Sequence, residues 1–142
     1  MKTFRATEKD FNRKTYLVDA TSKTLGRLAT RVAGILMGKG KTCFAYDQYC
    51  GDQVVIINAA KIHVTGNKNK QKIYTHYTGF ADGLRSIVYE KLMDTKPEEI
   101  ISLAIRRMLP KTKTGREMMR RLRVFAGAEH THSAQTPVPL EA

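Results

Sequence analysis

Apolar positions follow first a strand pattern and then a helix pattern near the start of the chain. Tyr16–Ala20 is short and rich in β-forming residues, which predicts a strand. From Leu25 to Leu36 the apolar residues fall at the i, i+3, i+4, i+7 spacing of one helix face, and Gly38 is suited to end that helix. The continuous apolar run Gln53–Asn58 is typical of a strand buried on both faces. Strand, helix and strand in this order predict a right-handed βαβ unit in a mainly parallel sheet.

Weaker patterns predict the elements that follow. Pro97 followed by two glutamates predicts a helix start, because proline favours the first turn and acids favour the positive end of the helix dipole. Pro110 should end that helix, since its ring does not fit a helix interior. The other predicted elements are a third strand at Ile62–Val64, a charged loop at Lys68–Lys72, a helix resuming at Ser86, a helix beginning near Arg116 and a last strand at Leu122–Ala126.

Length and the absence of internal divisions predict one domain over residues 1–142. A chain of 142 residues can bury roughly two thirds of the surface that its unfolded form exposes. We find no internal repeat and no linker in it. Residues 1–14 are polar and basic and are expected to form an arm that orders on contact. Residues 128–142 are expected to form an extended tail.

The charge balance indicates an acidic partner. The formal net charge is +12 and the pI is near 9.9, which at this size favours nucleic acid. No apolar run approaches membrane length, and we see no lipidation or secretory signal, so we expect no membrane partner. Two cysteines, Cys43 and Cys50, fit a reducing compartment, and the expected location is the cytoplasm.

The densest charge lies between residues 106 and 123, where eight cations stand against one acid, Glu117. A solvated helix face usually alternates the sign of its charges, whereas this segment needs a counter-charge. Arginine forks match the geometry of phosphate oxygens, although a basic surface helix without a partner is the alternative. We expect Arg116, Arg120 and Arg123 to share one helix face, behind a loop that carries two lysines. The predicted phosphate contacts of this segment are Arg106, Arg107, Lys111, Lys113, Arg116, Arg120, Arg121 and Arg123.

A second basic stretch combines cations with aromatic rings, a mixture that can hold phosphates and stack on RNA bases. The alternative, that alternate rings simply belong to the core, stays open for Tyr74 and His76. Two further lysines follow the first predicted helix, beside the negative end of its dipole. The secondary contacts predicted from these stretches are Lys39, Lys41, Lys68, Lys70, Lys72, Tyr74, His76 and Tyr77.

Motifs of known chemistry are incomplete in this chain. Gly40-Lys41-Thr42 is similar to the end of a P-loop, but Ile35 replaces the earlier glycine and the motif follows a helix instead of a strand. His130 and His132 have no supporting carboxylate cluster, so structural or RNA-contacting roles are favoured over a metal site. We find no dinucleotide fingerprint and no nucleophile motif, and we expect no catalysis, metal or cofactor. A nucleotide-dependent RNA-processing enzyme is the remote alternative.

Several family-like motifs stand in a fixed order along the chain. They are Val18-Asp19-Ala20, Leu25-Gly26-Arg27-Leu28-Ala29, Gly51-Asp52, Asn58-Ala59, Val64-Thr65-Gly66-Asn67-Lys68, Met108-Leu109-Pro110-Lys111, Gly115-Arg116, Leu122, Gly127, Glu129-His130-Thr131-His132 and Gln135. Over essentially the whole length, the chain resembles the bacterial family of the thirteenth protein of the large ribosomal subunit.

The resemblance implies a single α/β domain with a central, mostly parallel four-stranded sheet, flanked by helices in three layers (α/β/α), and basic loop extensions. It also implies a structural protein of the ribosome in the cytoplasm. Such a protein binds large-subunit, 23S-type rRNA, contacts neighbouring ribosomal proteins, joins the subunit early in assembly and has no small-molecule substrate. An mRNA-binding translational regulator is the alternative, because the phosphate chemistry is the same.

One short segment departs from the family pattern. After Thr78-Gly79 the family usually has an aromatic residue, a proline and paired glycines, where this chain has Phe80-Ala81-Asp82-Gly83. The chain thus lacks a rigid turn residue and gains an acid there. We expect the local turn to differ accordingly.

Overall fold

The sheet is built on the predicted βαβ unit. The computed structural model describes residues 5–7 and 11–140 of the 142-residue chain. In it, β1 (Thr15–Asp19) and β2 (Gln53–Ile57) pair in parallel along their whole length and are joined by α1 (Leu25–Met37). Gly38 follows α1 with a φ of 76°, the left-handed conformation that a glycine adopts readily at a helix end. The predicted parallel arrangement of these three elements is confirmed.

Two further strands complete the sheet, and two others form a separate hairpin. The elements after β2 are α2 (Lys68–Gln71), β3 (Ile73–Tyr77), β4 (Leu84–Val88), α3 (Tyr89–Thr95), α4 (Pro97–Met108), α5 (Lys113–Met119), β5 (Leu122–Val124) and β6 (Val138–Pro139), with 3-10 turns at Ala59–Lys61 and Ser133–Gln135. The sheet has the order β5-β2-β1-β6 with every pair parallel, whereas β3 and β4 are antiparallel. The predicted single-domain α/β fold with a four-stranded parallel sheet is confirmed.

One face of the sheet packs against α1, and α4 packs in turn on α1. Val18, Val54 and Ile56 from the two central strands are fully buried in this core. Leu28 and Leu36 of α1, at most 1% exposed, pack with them, as the apolar spacing of the sequence predicts. Each side chain of this size stabilises the fold by roughly 1.5–3 kcal/mol when it is fully buried.

The opposite face of the sheet is covered by the segment that returns from β5 to β6. Val55 of β2 is 2% exposed and lies beside His132 and Gln135 of this segment. The Phe125 ring lies 6.4 Å from that of His130 and 5.8 Å from that of His132, measured between centroids. The two outer layers are therefore a helical layer on one face and this return segment, with its 3-10 turn, on the other.

Ile62–Val64 does not form the predicted third strand. His63 makes only an isolated parallel bridge to Thr24. Its carbonyl accepts a hydrogen bond from the N–H of Leu25 at 2.9 Å, and its own N–H donates to the carbonyl of Lys23 at 3.0 Å. Because its backbone groups are used in this way, the segment holds the start of α1 and does not extend the sheet.

The region after the third predicted strand also differs from expectation. The charged loop predicted from Lys68 is the short helix α2. The helix predicted from Ser86 begins only at Tyr89, and Ser86 instead lies in β4, opposite Thr75 of β3. A short apolar run fits both the helical and the extended period, so pairing with a neighbouring strand decides between them.

The turn between β3 and β4 contains the segment that departs from the family pattern. Gly79 and Asp82 both have positive φ, at 92° and 55°. The N–H of Thr78 donates to the carbonyl of Gly83, and the N–H of Gly83 donates to that of Phe80, both at 3.0 Å. Aspartate tolerates the left-handed conformation better than most residues, so this turn closes without paired glycines.

A polar cluster joins the carboxyl ends of β1 and β2. Asn58, which has a φ of 58° and is 8% exposed, donates from its side-chain amide to the Asp19 carboxylate at 2.9 Å. The backbone N–H and hydroxyl of Thr21 donate to the same oxygen at 2.9 and 2.7 Å. The pKa of Asp19 is lowered by these bonds, first by the Thr21 N–H and then by Asn58.

The predicted basic arm lies only partly within the described residues, which omit 1–4 and 8–10. Arg5 pairs with Asp47 at 2.6 Å, and the side-chain amide of Gln48 donates to the carbonyl of Ala6 at 2.7 Å. This part of the arm therefore lies against the loop that follows α1. Residues 141 and 142 of the predicted tail are also outside the described residues.

Candidate nucleic-acid interface

Few of the cations in the described part of the chain form an ion pair with an acidic residue of that same part. The chain carries 25 lysines and arginines against 13 acids. The ion pairs between described residues are Arg5–Asp47, Lys41–Asp52 and Arg120–Glu117. Most of the positive charge is therefore neutralised by mobile counter-ions or by a bound polyanion.

Lys41 has an internal structural role, which removes it from the predicted phosphate contacts. Its ammonium donates to the carboxylate of Asp52 at 2.6 Å and to the carbonyls of Asn12 and Cys50 at 2.7 and 3.0 Å. A lysine ammonium has three donors, and all three are used here. The lysine of Gly40-Lys41-Thr42 therefore joins the loop after α1 to the start of β2.

Arg121 is also largely used inside the fold. One terminal nitrogen of its guanidinium donates to the carbonyls of Tyr49 and Gly51 at 3.0 and 2.8 Å, and its Cζ lies 5.5 Å from the centre of the Tyr49 ring. Burial lowers the pKa of Arg121, and the charge of Arg13 lowers it further. The side chain is half-buried and braces residues 49–51 with two of its five N–H donors, and this burial limits its access to phosphate.

The remaining cations between the end of α4 and β5 are exposed. They do not lie on one helix face as predicted, because α5 begins at Lys113 and ends before Arg120. Arg123 belongs to β5 and donates to the carbonyl of Arg120 at 2.7 Å. Arg120 forms an exposed pair with Glu117 at 3.0 Å, which a phosphate can compete with. We call the following residues the α5–β5 surface: Lys111, Lys113, Arg116, Arg120 and Arg123.

Gly115 positions this surface. A Cβ atom at Gly115 would lie 1.8 Å from the carbonyl oxygen of Pro110, which is backbone and cannot move aside. Only glycine allows α5 to approach the end of α4 this closely. The Pro110-to-Gly115 contact thus holds Lys111 and Lys113 in a tight turn between the two helices.

A second group of cations surrounds a cavity of about 570 Å³ between the start of α1, the α2–β3 connection and the end of α4. Lys68, Lys72 and Arg107 line it together with Tyr74. The Lys72 nitrogen and the Arg107 Cζ lie 5.3 and 5.9 Å from the centre of the Tyr74 ring. We call this cavity the α1–α4 pocket. Tyr74 is 8% exposed, so the core interpretation is right for its ring, although one side of it lines the pocket.

A neighbouring cavity of about 550 Å³ separates the β3–β4 hairpin from α4 and shares Tyr74 and Arg107 with the pocket. His76, Arg85 and Arg106 also line it, and His76 and Arg85 stand directly opposite each other in the hairpin. His76 is exposed, so the core interpretation does not hold for it. Arg85 was missed by sequence reasoning because it lies outside both basic stretches, and only the register of the hairpin brings it to this site.

The other predicted contacts are exposed but are not gathered at these cavities. Lys39 follows the C-terminus of α1, and Lys70 lies on the short helix α2. Tyr77, at the end of β3, is 60% exposed and could stack on a base. All three remain predictions.

The described residues show no arrangement that could hold a metal ion through three or more histidines, cysteines or acids. Within the same residues, none of the helices has the length and apolarity that crossing a membrane requires. Structural and RNA-contacting roles were both predicted for His130 and His132, and their contacts with the ring of Phe125 support the structural one.

The fold and the distribution of charge define a small basic α/β protein in which two clusters of exposed cations flank α4. The particular family follows from comparison with known proteins. The family model described as ribosomal protein L13 matches residues 13–131, and the chain belongs to this family.

Close relatives cover nearly the whole chain. The large ribosomal subunit protein uL13 of Clostridioides difficile (strain 630) is 55% identical over 137 residues, which cover 96% of each chain. The protein of the same name from Francisella tularensis subsp. holarctica (strain FTNF002-00 / FTA) is 53% identical with the same coverage. That of Symbiobacterium thermophilum is 48% identical over 140 residues, covering 99% of this chain and 98% of the relative.

Proposed function

We propose that this protein is a structural constituent of the large ribosomal subunit that binds 23S-type rRNA through lysine and arginine contacts to phosphate. The observation that carries the proposal is the group of exposed cations on the α5–β5 surface, which has one acidic partner, Glu117, among the described residues. Membership of the ribosomal protein L13 family, whose relatives are named as large-subunit proteins, supports the ribosome as the place of binding.

The α5–β5 surface supplies the main contacts. Its two lysines and three arginines lie within 13 residues of each other and are exposed to solvent. Arginine can hold a phosphate by two parallel N–H···O bonds, which orients RNA as well as attracting it. Lys41 and Arg121 are left out of this set, because all three donors of Lys41 bond to the protein and Arg121 is half-buried with two donors bonded to carbonyls.

The cavity lined by His76, Arg85, Arg106 and Arg107 supplies further contacts beside Tyr77. Exposed aromatic rings next to cations suit single-stranded or looped RNA, whose bases are free to stack. With about six to eight phosphate contacts in all, the logarithm of the affinity should fall with the logarithm of salt concentration at a slope of roughly −4 to −7.

In this role the protein performs no catalysis. It acts in the cytoplasm within the ribosome, supports early assembly of the large subunit and contacts neighbouring ribosomal proteins. An mRNA-binding regulator would use the same phosphate chemistry. Sedimentation of cell extract separates the two, because a subunit component co-migrates with large subunits through a high-salt wash and a regulator does not.

The decisive experiment reverses two charges on the α5–β5 surface. Arg116→Glu with Arg120→Glu should reduce the salt slope by about 2, since each phosphate contact contributes about 1, and should lower incorporation into large subunits. The matched control is Arg31→Glu with Lys91→Glu, an equal charge change at two exposed positions on α1 and α3. Equal losses in both double variants would show that only net charge matters and would refute the assignment of this surface.

A further inference from the structure

The α1–α4 pocket combines an apolar interior with a cationic edge. Its volume of about 570 Å³ lies within the range of roughly 300–1,000 Å³ that small-molecule sites occupy. Its cations are Lys68, Lys72 and Arg107. Its apolar lining consists of Leu25, Val64, Ala104, Met108 and the ring of Tyr74.

The three cations are brought together without an acidic partner. None of the described residues that line the pocket is an aspartate or a glutamate. Burial lowers the pKa of Lys72, and the charges of Arg107 and Lys68 lower it further. Such repulsion disfavours this arrangement in the free protein, and an anion bound between the three cations would relieve it.

The start of α1 adds backbone donors to the same pocket. Thr24 precedes the helix but makes no side-chain capping bond, so the N–H groups of Gly26 and Arg27 have no partner within the helix. Gly26 lines the pocket, and helix N-termini attract anions.

Tyr74 forms one wall of the pocket. The residue is 8% exposed and its hydroxyl is buried, so it is the ring that lines the pocket. Its ring is stacked on that of Tyr89, with centroids 6.4 Å apart, and this contact fixes the ring against one wall of the pocket.

We propose that the α1–α4 pocket binds one nucleoside monophosphate unit, with the phosphate held between Lys68, Lys72 and Arg107 and the base on the apolar lining. A bare phosphate would leave the apolar lining unused, and a neutral apolar ligand would leave the cations unpaired. The unit can come from a nucleotide extruded from RNA or from a free nucleotide, which share this chemistry. The first source rests on the proposed rRNA-binding function, whereas the second does not.

The test is a titration of the full-length ¹⁵N-labelled protein followed by NMR. Adenosine 5′-monophosphate should shift the amide signals of Gly26, Thr65 and Tyr74 in a saturable way. Adenosine and inorganic phosphate should each bind at least about tenfold more weakly, because each offers only half of the recognition. Equal affinity for inorganic phosphate, or shifts spread over the exposed lysines without saturation, would overturn the proposal.

Variants assign the phosphate position. Lys68→Gln and Arg107→Gln should each weaken binding of adenosine 5′-monophosphate by about tenfold, since each removes a charge-assisted bond. Lys91→Gln on α3 makes the same charge change outside the pocket and should leave binding unchanged. Lys68 and Lys91 are both exposed, so these two variants should fold alike, and equal affinities in them would contradict the assignment.

A short single-stranded RNA distinguishes the two sources. If the pocket takes a nucleotide from RNA, hexa-adenylate should shift the same amide signals at lower concentration than the mononucleotide does, and Lys68→Gln should abolish these shifts. If free nucleotide is the ligand, only the mononucleotide should shift them. Lys68→Gln should lower the salt slope of rRNA binding by at most about 1, because it removes a single cation and leaves the α5–β5 surface complete. A slope that stays near the wild-type value while the pocket signals no longer shift would therefore separate failure of the pocket proposal from failure of the proposed function.

Discussion

Replacing Lys41 by glutamine separates a structural lysine from an RNA-binding one. In the structure its ammonium joins Asp52, Asn12 and Cys50, so Lys41→Gln should destabilise the free protein. Lys113→Gln makes the same charge change at an exposed position at the start of α5. That variant should keep its stability and lose affinity for RNA.

The size of the effect follows from burial. The Lys41 and Asp52 side chains are 21% and 7% exposed. Removing one partner of a buried ion pair costs roughly 3–5 kcal/mol, because the other charge is left without compensation. Asp52 keeps one further donor, the N–H of Lys14 at 2.8 Å, so we expect a loss near the lower limit, about 3 kcal/mol. For a domain of this size that corresponds to a fall in melting temperature of about 6–12 °C.

Two assays on both variants decide the question. Thermal unfolding without RNA should show the large loss for Lys41→Gln alone, whereas the salt slope of RNA binding should fall by about 1 for Lys113→Gln alone. A Lys41→Gln protein that melts like the wild type and has a reduced salt slope would refute the structural role. It would also restore Lys41 to the phosphate contacts.

Three further predictions follow from backbone geometry and titration. Gly115→Ala should lower the free energy of unfolding in urea by about 3 kcal/mol, because its Cβ would meet a backbone carbonyl oxygen at 1.8 Å. In the control Gly127→Ala the added Cβ meets nothing within 4 Å, so the free energy of unfolding should change little. Equal losses in the two variants would disprove the close approach at Gly115. Asn58→Gly should lose about 1 kcal/mol at pH 7, since Asp19 is exposed. The pKa of Asp19 is lowered in the fold, so this stabilisation is present above its unfolded pKa of about 3.9 and is lost as pH falls through the folded value. A deficit that does not shrink as pH falls below about 3.9 would contradict this. The pKa of Lys72 lies below its usual value of 10.5, first through burial and then through neighbouring cations, so calorimetric titration with adenosine 5′-monophosphate should show weaker binding as pH rises through that pKa. Lys72→Gln should reduce this dependence, because one of the two lysines of the pocket is then gone, and an unchanged profile would exclude Lys72 from the phosphate site.

Hydrophobic spacing predicted the strongest elements because those elements are locally consistent. β1, α1, β2 and the start of α4 at Pro97 all agree with the patterns from which they were predicted. The β3–β4 hairpin was not found in this way. Its second strand carries Ile87 and Val88 in a short apolar run that suits a helix equally well, and the pairing of Ser86 with Thr75 decides the outcome.

The cations were predicted as contacts from residue type and position along the chain. That information does not show which of them are exposed and which bond to other parts of the protein. Lys39 and Lys41 are two residues apart and were given the same role. One is exposed, and the other bonds to a carboxylate eleven residues further along the chain. Arg121 and Arg123 differ in the same way, because only Arg121 reaches the carbonyls of Tyr49 and Gly51.

The amino-acid sequence alone determined the fold class, the surplus of positive charge and the family resemblance, since each of these depends on local order or on a sum over residues. Folding determined which cations remain available to a ligand and which of them meet. Lys68, Lys72 and Arg107 come together in the α1–α4 pocket because α4 packs against α1, and no spacing along the chain encodes that contact. A charged side chain interacts with the groups that lie near it in space, and the packing of residues far apart in the sequence determines which groups those are.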